Sequence, residues 1–231
     1  MSILATSQQH RAVVLLYILP VLLLPLLAQA DLPRPGGPLA AFLIDSVVRV
    51  LVPIVALWFL ARNLNVWPKD YGLSLSLGSL TRAQFIAAAF LCFLGYMVYA
   101  IIYNVAQIWL ESPKGSLSDL EQLERSSLIV LLYLAATAGF FEEVLYRGVL
   151  GAVFLSGSST KVAQIGYVLV STSLFAVIHA SYGSAMLVAY VYVGILAAVL
   201  YIWLRNLWLL IAAHFATDLF VGIWTIRHAA L

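Results

Sequence analysis

The sequence predicts an all-α fold: a polytopic transmembrane helical bundle of about seven spans. Three observations carry this. Of 231 residues, 64% are hydrophobic and only 10% are charged, whereas a soluble domain carries about 25% charged residues. A water-soluble fold of this size has too little interior to hide so much apolar surface. The apolar residues also fall in seven long runs, and a spanning helix needs about 20 such residues. Seven spans take about 140–160 residues, about two-thirds of the chain, in agreement with the composition. The same numbers exclude a soluble enzyme and intrinsic disorder. A net charge of +2 without a basic block excludes a nucleic-acid partner. The chain reads as a single integral membrane domain, residues 1–231.

The runs cover roughly residues 12–29, 39–61, 83–110, 127–153, 162–181, 185–204 and 206–226. Each reads as a helix, because backbone groups in hydrocarbon must be satisfied within their own segment unless a barrel closes. The runs are too long and too continuously apolar for barrel strands. The first contains Pro20 and Pro25, which predict a kink. Arg11, the apolar run and Ala28-Gln29-Ala30 also resemble a secretory signal with an A-x-A cleavage site, although the run is long and has no clear polar break. The second contains Asp45 and Arg49, four apart and able to pair on one face. They read either as a structural ion pair that fixes helix packing or as part of a site. The third contains the single cysteine, Cys92, in Phe90-Leu91-Cys92-Phe93. One cysteine excludes an internal disulfide and a Cys-based zinc site, and this one reads as an inert core residue. On the same helix Tyr96, Tyr99, Tyr103 and Asn104 either line a cavity or simply pack. The fourth is long enough to tilt or to break near Gly139. There is no internal repeat of the inverted-topology transporter kind.

Lysine and arginine in the short loops set the orientation. With a cytoplasmic N-terminus, Arg11, Arg62, Lys69, Arg82, Arg147, Lys161 and Arg205 lie inside, and Arg34, Lys114, Arg125 and Arg227 lie outside. This excess favours N-in. The 111–126 loop, with Glu111, Asp119, Glu121 and Glu124, is then an acidic outer loop. Trp58, Trp109, Trp203, Trp208 and Trp224 fall near span ends, where amphipathic rings prefer to sit.

A charge at mid-bilayer is costly and needs a reason. Besides Asp45 and Arg49, the charged residues inside apolar runs are Glu142, Glu143, Arg147 and Asp218, joined by His179 and His214. They form three short clusters. In Glu142-Glu143-Val144-Leu145-Tyr146-Arg147-Gly148, Glu143 and Arg147 are four apart and neutralise each other on one face. Glu142 is rotated about 100° from Glu143 and has no partner on its own helix, which makes it the candidate general base. Gly148 allows a close neighbour. In the second cluster Phe175 lies one turn before His179 and can pack against its ring. In the third, His214 and Asp218 share a face, and the carboxylate can fix the tautomer of the imidazole. Two carboxylates, two imidazoles and an arginine offset their desolvation by converging, and convergent titratable groups in a water-excluded site suit acid–base chemistry.

Counting about 1.5 Å per residue from the cytoplasmic ends places His214 about 12 Å deep, Glu142 about 18 Å and His179 about 25 Å. The mismatch requires shifted span boundaries, or a fifth helix that tilts or starts late.

E-E-x-x-x-R, then F-x-x-x-H, then H-x-x-x-[DN], on successive membrane helices, resembles the CPBP family of CAAX proteases and bacteriocin-processing intramembrane endopeptidases, which includes the type II CAAX prenyl endopeptidases. The resemblance covers about residues 127–226 and gives the protease core. It implies a hydrolase, an intramembrane endopeptidase with a polar cavity open to the cytoplasmic side. Glu142 would activate a water, His214 would help bind it, and His179 with the residue at 218 would stabilise the oxyanion. Glu143 and Arg147 would hold the site together. The prenyl endopeptidases carry Asn where this chain has Asp218, and an ionised Asp cannot donate to an oxyanion. Asp218 therefore either stays protonated, orients His214, or ligates a metal. If zinc is bound, its ligands are His179, His214 and either Glu142 or Asp218. There is no H-E-x-x-H, and the metal-free glutamate route is favoured.

The resemblance and the residues together give a membrane-associated peptide or protein as substrate, and the lipid bilayer as surroundings. The short loops resemble a bacterial member, in the inner (plasma) membrane with a cytoplasmic N-terminus. Two other classes stay open. One is a non-catalytic membrane binding or immunity factor of the same family. The other is a proton-coupled transporter using the same residues as a relay.

Overall fold

A computed structural model of the chain describes residues 8–29, 37–74, 81–109, 127–155, 160–180 and 184–228. The described residues form seven long helices. α1 is Gln8–Gln29. α2 spans 37–63 as Gly37–Ser46, Val47–Leu51 and Val52–Asn63 without a break. α3 is Arg82–Trp109, and α4 spans 128–155 as Leu128–Glu142, Glu143–Val149 and Leu150–Leu155. α5 is Lys161–Ile178, α6 is Ser184–Leu204, and α7 is Trp208–His228. A short 3-10 turn, Pro68–Tyr71, follows α2. Five of the described helical stretches are long and apolar enough to cross a membrane, and α1 and α7 contribute shorter apolar stretches, Gln9–Pro25 and Trp208–Trp224. The chain is an integral membrane protein with an all-helical fold.

The helix starts follow from local chemistry. Thr81 and Gln84 form a capping box before α3: the Thr81 N–H donates to Oε1 of Gln84 at 2.9 Å, and the Gln84 N–H donates to Oγ1 of Thr81 at 3.2 Å. Thr160 caps α5 by accepting from the Ala163 N–H. Between α6 and α7, Arg205 adopts a left-handed φ of 50°, and the Asn206 side chain accepts from the Trp208 N–H. α1 stays helical through Pro20 and Pro25. Pro25 has no N–H for the Val21 carbonyl, and the adjacent Leu22 carbonyl accepts from the Tyr146 hydroxyl at 2.6 Å.

The outer surface is apolar, with Leu16, Ile86, Phe90, Ile129, Val162 and Val188 exposed, as a lipid-facing surface requires. Trp58, Trp203, Trp208 and Trp224 are exposed as well, whereas the side chain of Trp109 and the acidic 111–126 loop lie outside the described residues. Cys92 is buried and free. Inside, α4 packs on α7, α3 on α6 and α7, α5 on α6, and α1 on α2 and α5.

Among the described residues, two segments are π-helical rather than α-helical: Val47–Leu51 in α2 and Glu143–Val149 in α4. The two segments carry Arg49, Glu143 and Arg147. Side chains of α5 satisfy carbonyls in the second one, with the Ser171 hydroxyl donating to Tyr146 O at 2.8 Å and the Tyr167 hydroxyl to Arg147 O at 3.1 Å. Such turns occur frequently at functional sites.

Three sequence expectations change here. α4 does not break at Gly139. It continues as helix, and Gly139 is a point of close approach, where an added Cβ would lie 3.0 Å from the Phe215 backbone nitrogen of α7. Arg147 is not a loop cation that sets topology: it is fully buried. The fifth helix does not start late. It begins at Lys161 and ends at Ile178, so His179 is its C-terminal cap.

Candidate active site

The three clusters meet where α4, α5 and α7 come together. Gly139 allows α7 to approach the α4 backbone, and one turn later α4 presents Glu142 and Glu143. The two glutamates diverge, as adjacent helical residues must.

Glu143 points into the core and is fully buried. Its Oε1 accepts from the Tyr96 hydroxyl of α3 at 2.8 Å and meets Nδ1 of His214 at 2.8 Å. Its Oε2 lies 3.4 Å from Nε of Arg147, which is also fully buried. The Arg147 guanidinium carbon sits 4.0 Å above the Phe175 ring centre, a cation–π contact in a water-excluded place.

Glu142 turns toward a cleft. Its Oε2 lies 3.9 Å from Nε2 of His179 and 3.9 Å from Nε2 of His214. Its Oε1 lies 3.9 Å from Nη1 of Arg49 on α2. Val48, Arg49, Thr137, Phe141, Tyr146 and His179 are among the groups that line this cleft with it.

Both imidazoles are oriented by their other nitrogen. Nδ1 of His179 is 2.7 Å from the Phe175 carbonyl. A carbonyl only accepts, so Nδ1 carries the hydrogen and Nε2 faces Glu142. The ring packs against two aromatic neighbours: Phe175, tilted, at 4.7 Å between centroids, and Tyr190, stacked and nearly parallel, at 4.1 Å. His214 obeys the same logic, because an ionised Glu143 only accepts and Nδ1 of His214 donates to it. This corrects the sequence expectation that Asp218 fixes the tautomer of His214. Asp218 Oδ2 lies 3.4 Å from Nε2, the nitrogen that faces Glu142, and is the most exposed of these carboxylates. The i, i+4 spacing was readable; the Glu143 contact, made across 71 positions of chain, was not.

The structure thus brings Glu142, His179, His214 and Asp218 together, with Glu143, Arg147 and Phe175 beneath them. Sequence reasoning missed Tyr190, which stacks on His179, and left two other roles open: Tyr96 holds Glu143, and Arg49 reaches Glu142. Arg49 does pair with Asp45, Nε to Oδ1 at 2.6 Å, as its spacing predicts. Its second contact joins the pair to the site. Of the third-helix residues, Tyr99 packs near Tyr190 with 5.9 Å between centroids. The Asn104 amide donates to Ala100 O of its own helix.

Tetrahedral zinc ligands at about 2.0–2.1 Å from the metal lie about 3.3 Å from one another. The 3.9 Å separations between Glu142 and the two imidazoles are wider than that, and among the described residues no three His, Cys, Asp or Glu side chains are arranged to hold a metal ion. As it stands the site has Asp218 Oδ2 at such a spacing from Nε2 of His214, 3.4 Å, but not Glu142 from either imidazole. It offers a carboxylate oxygen facing two oriented imidazole nitrogens, an arrangement suited to polarising a small molecule held between them.

Residues 124–220 match the model of a family described as type II CAAX prenyl endopeptidase Rce1-like. The matched segment contains all of α4, α5 and α6 and the part of α7 that carries His214 and Asp218. No curated protein and no solved structure matches the chain.

Proposed function

Residues 124–220 match the model of the type II CAAX prenyl endopeptidase family, and from that match we propose that the chain is an intramembrane endopeptidase of the CPBP/CAAX protease kind that cleaves a membrane-associated peptide or protein with a glutamate-activated water. The observation that carries the reading is the placement of Glu142 Oε2 at 3.9 Å from Nε2 of both His179 and His214. A water about 2.8 Å from Oε2 and from Nε2 of His214 would subtend an angle of about 90° between them, within reach of its two O–H bonds. One O–H donates to the carboxylate and the other to the imidazole, which leaves a lone pair of the water directed outward.

In the step proposed, Glu142 takes a proton from that water while its oxygen adds to the peptide carbonyl carbon. The C=O electron pair moves onto oxygen. His179, when Nε2 also bears a proton, donates to this oxyanion. The tetrahedral intermediate then collapses, the C–N bond breaks, and the proton on Glu142 passes to the departing amine. The products are a carboxylic acid and an amine, and no covalent enzyme intermediate forms. Glu143 acts beneath this chemistry by fixing His214. Asp218 Oδ2 lies 3.4 Å from Nε2 of His214, at the outer edge of the site.

The test is Glu142→Gln, purified in detergent and given membrane-anchored reporter peptides, with and without a prenyl group, with cleavage read by mass spectrometry. Loss of the general base is expected to lower cleavage by about 10²–10⁴-fold, with unchanged elution and thermal midpoint. Cleavage at the wild-type rate refutes the assignment.

A further inference from the structure

Glu142 presents one oxygen to the imidazoles, and its other oxygen is also engaged. Oε1 lies 3.9 Å from Nη1 of Arg49. At that distance the contact is electrostatic rather than a hydrogen bond. Among the described residues, Arg49 is the one Lys or Arg side chain within 4.0 Å of Glu142, because Arg147 is spent on Glu143. Arg49 comes from α2, outside the segment that matches the protease family.

From these contacts we infer that Arg49, fixed by Asp45, is a positioning residue of the site: it holds Oε1 of Glu142 and thereby turns Oε2 toward His179 and His214. Three features support this over a pair that serves packing alone. The Asp45–Arg49 contact is short, 2.6 Å, and uses Nε, so the forked end of the guanidinium extends beyond Asp45. Arg49 lines the same cleft as Glu142 and His179. Arg49 also lies in the middle of a π-helical turn, Val47–Leu51, packed against α4. A guanidinium facing two carboxylates is a rigid fork with fixed charge, suited to orienting one of them from the other. The counter-charge also offsets the cost of keeping Glu142 in a site only 14% exposed.

The inference rests on the proposed proteolysis for its activity readout, and a second readout is independent of it. The full chain is prepared as Arg49→Ala, Arg49→Lys and the charge-neutral double variant Asp45→Asn/Arg49→Gln, beside Glu142→Gln. A misdirected base is expected to lower kcat by about 10–100-fold in Arg49→Ala, with KM changed less than about twofold. Added guanidinium ion restores part of that kcat in Arg49→Ala and none in Glu142→Gln. Arg49→Lys, which keeps charge but not the fork, falls between wild type and Arg49→Ala. Should Arg49→Ala fold poorly, the double variant removes both charges and is expected to keep the fold and the kcat defect. Wild-type kcat in Arg49→Ala, or a defect that follows thermal midpoint and resists guanidinium, overturns the inference. Failure of the proteolysis reading looks different: wild type is inactive, or Glu142→Gln is active. Labelling by a membrane-soluble carbodiimide then decides, with Glu142 modified faster in Arg49→Ala than in wild type. Equal labelling rates overturn the inference.

Discussion

Nδ1 of His214 donates to Oε1 of Glu143 at 2.8 Å, joining α7 to the core of α4. The bond fixes which nitrogen of His214 faces Glu142. Glu143 also neutralises Arg147, and both are fully buried. Glu143→Gln therefore removes a charge partner from a guanidinium that has no other place to go. Breaking a buried pair on one side costs about 3–5 kcal/mol, so a clear drop in thermal midpoint in detergent is expected along with loss of cleavage. Replacing both members, as Glu143→Gln/Arg147→Met, should recover most of the stability and little of the activity. A stable, active Glu143→Gln refutes the coupling.

Tyr96 is the second donor to the same oxygen, at 2.8 Å, and is fully buried. Tyr96→Phe deletes only the hydroxyl. A hydrogen bond to a charged group contributes about 1.5–3 kcal/mol, and a loss of that order is expected in equilibrium unfolding. Cleavage should fall by about tenfold, as Glu143 gains freedom and His214 with it. Equal stability and rate in wild type and variant would show that the hydroxyl does nothing for the network.

The seven helices and the three clusters were legible because hydrocarbon punishes charge: the few acids and histidines inside apolar runs stand out without any alignment. Spacing on one helix was equally legible, as Asp45–Arg49 and Glu143–Arg147 show. Contacts between helices were not. Arg49 on Glu142, Tyr96 on Glu143 and Glu143 on His214 join residues whose separation in sequence carries no period. Asp218 was given the tautomer role because it was the one carboxylate within a turn of His214. The structure gives that role to a carboxylate on another helix, 71 positions away. Arg147 was read both as an inner-side cation and as the partner of Glu143, and its full burial decides for the second. The π turns were hidden too, since they keep four-apart partners on one face.

Gly139 and Gly166 are both helical glycines, and the structure predicts opposite outcomes at them. A Cβ at Gly139 would lie 3.0 Å from Phe215 N and 3.3 Å from Ile211 O, both backbone atoms of α7. Gly139→Ala must move α7 off α4, and such overpacking costs about 1–3 kcal/mol. It also shifts His214 relative to Glu142, so kcat should fall. At Gly166 the nearest atoms are carbons of the Phe154 ring at 3.8 Å, an ordinary contact. Gly166→Ala should stabilise the chain by about 0.8–1 kcal/mol through helix propensity, with unchanged kcat. Thermal midpoints and steady-state rates of the two variants, measured side by side, check both halves.

The last prediction concerns metal removal. Glu142 Oε2 stands 3.9 Å from each imidazole Nε2, wider than the spacing of zinc ligands. Each imidazole is already oriented by a protein acceptor, the Phe175 carbonyl for His179 and Glu143 for His214. With a carboxylate and an oriented imidazole to activate the water, cleavage should survive prolonged treatment with phenanthroline or EDTA, and added zinc should not raise the rate. Elemental analysis of the same active sample should find zinc well below one atom per chain. Loss of cleavage on chelation, restored by zinc in step with one bound atom, would transfer the water from Glu142 to a metal held by His179 and His214. With Glu142 as the third ligand, it would also require that carboxylate to draw closer to both imidazoles than it stands.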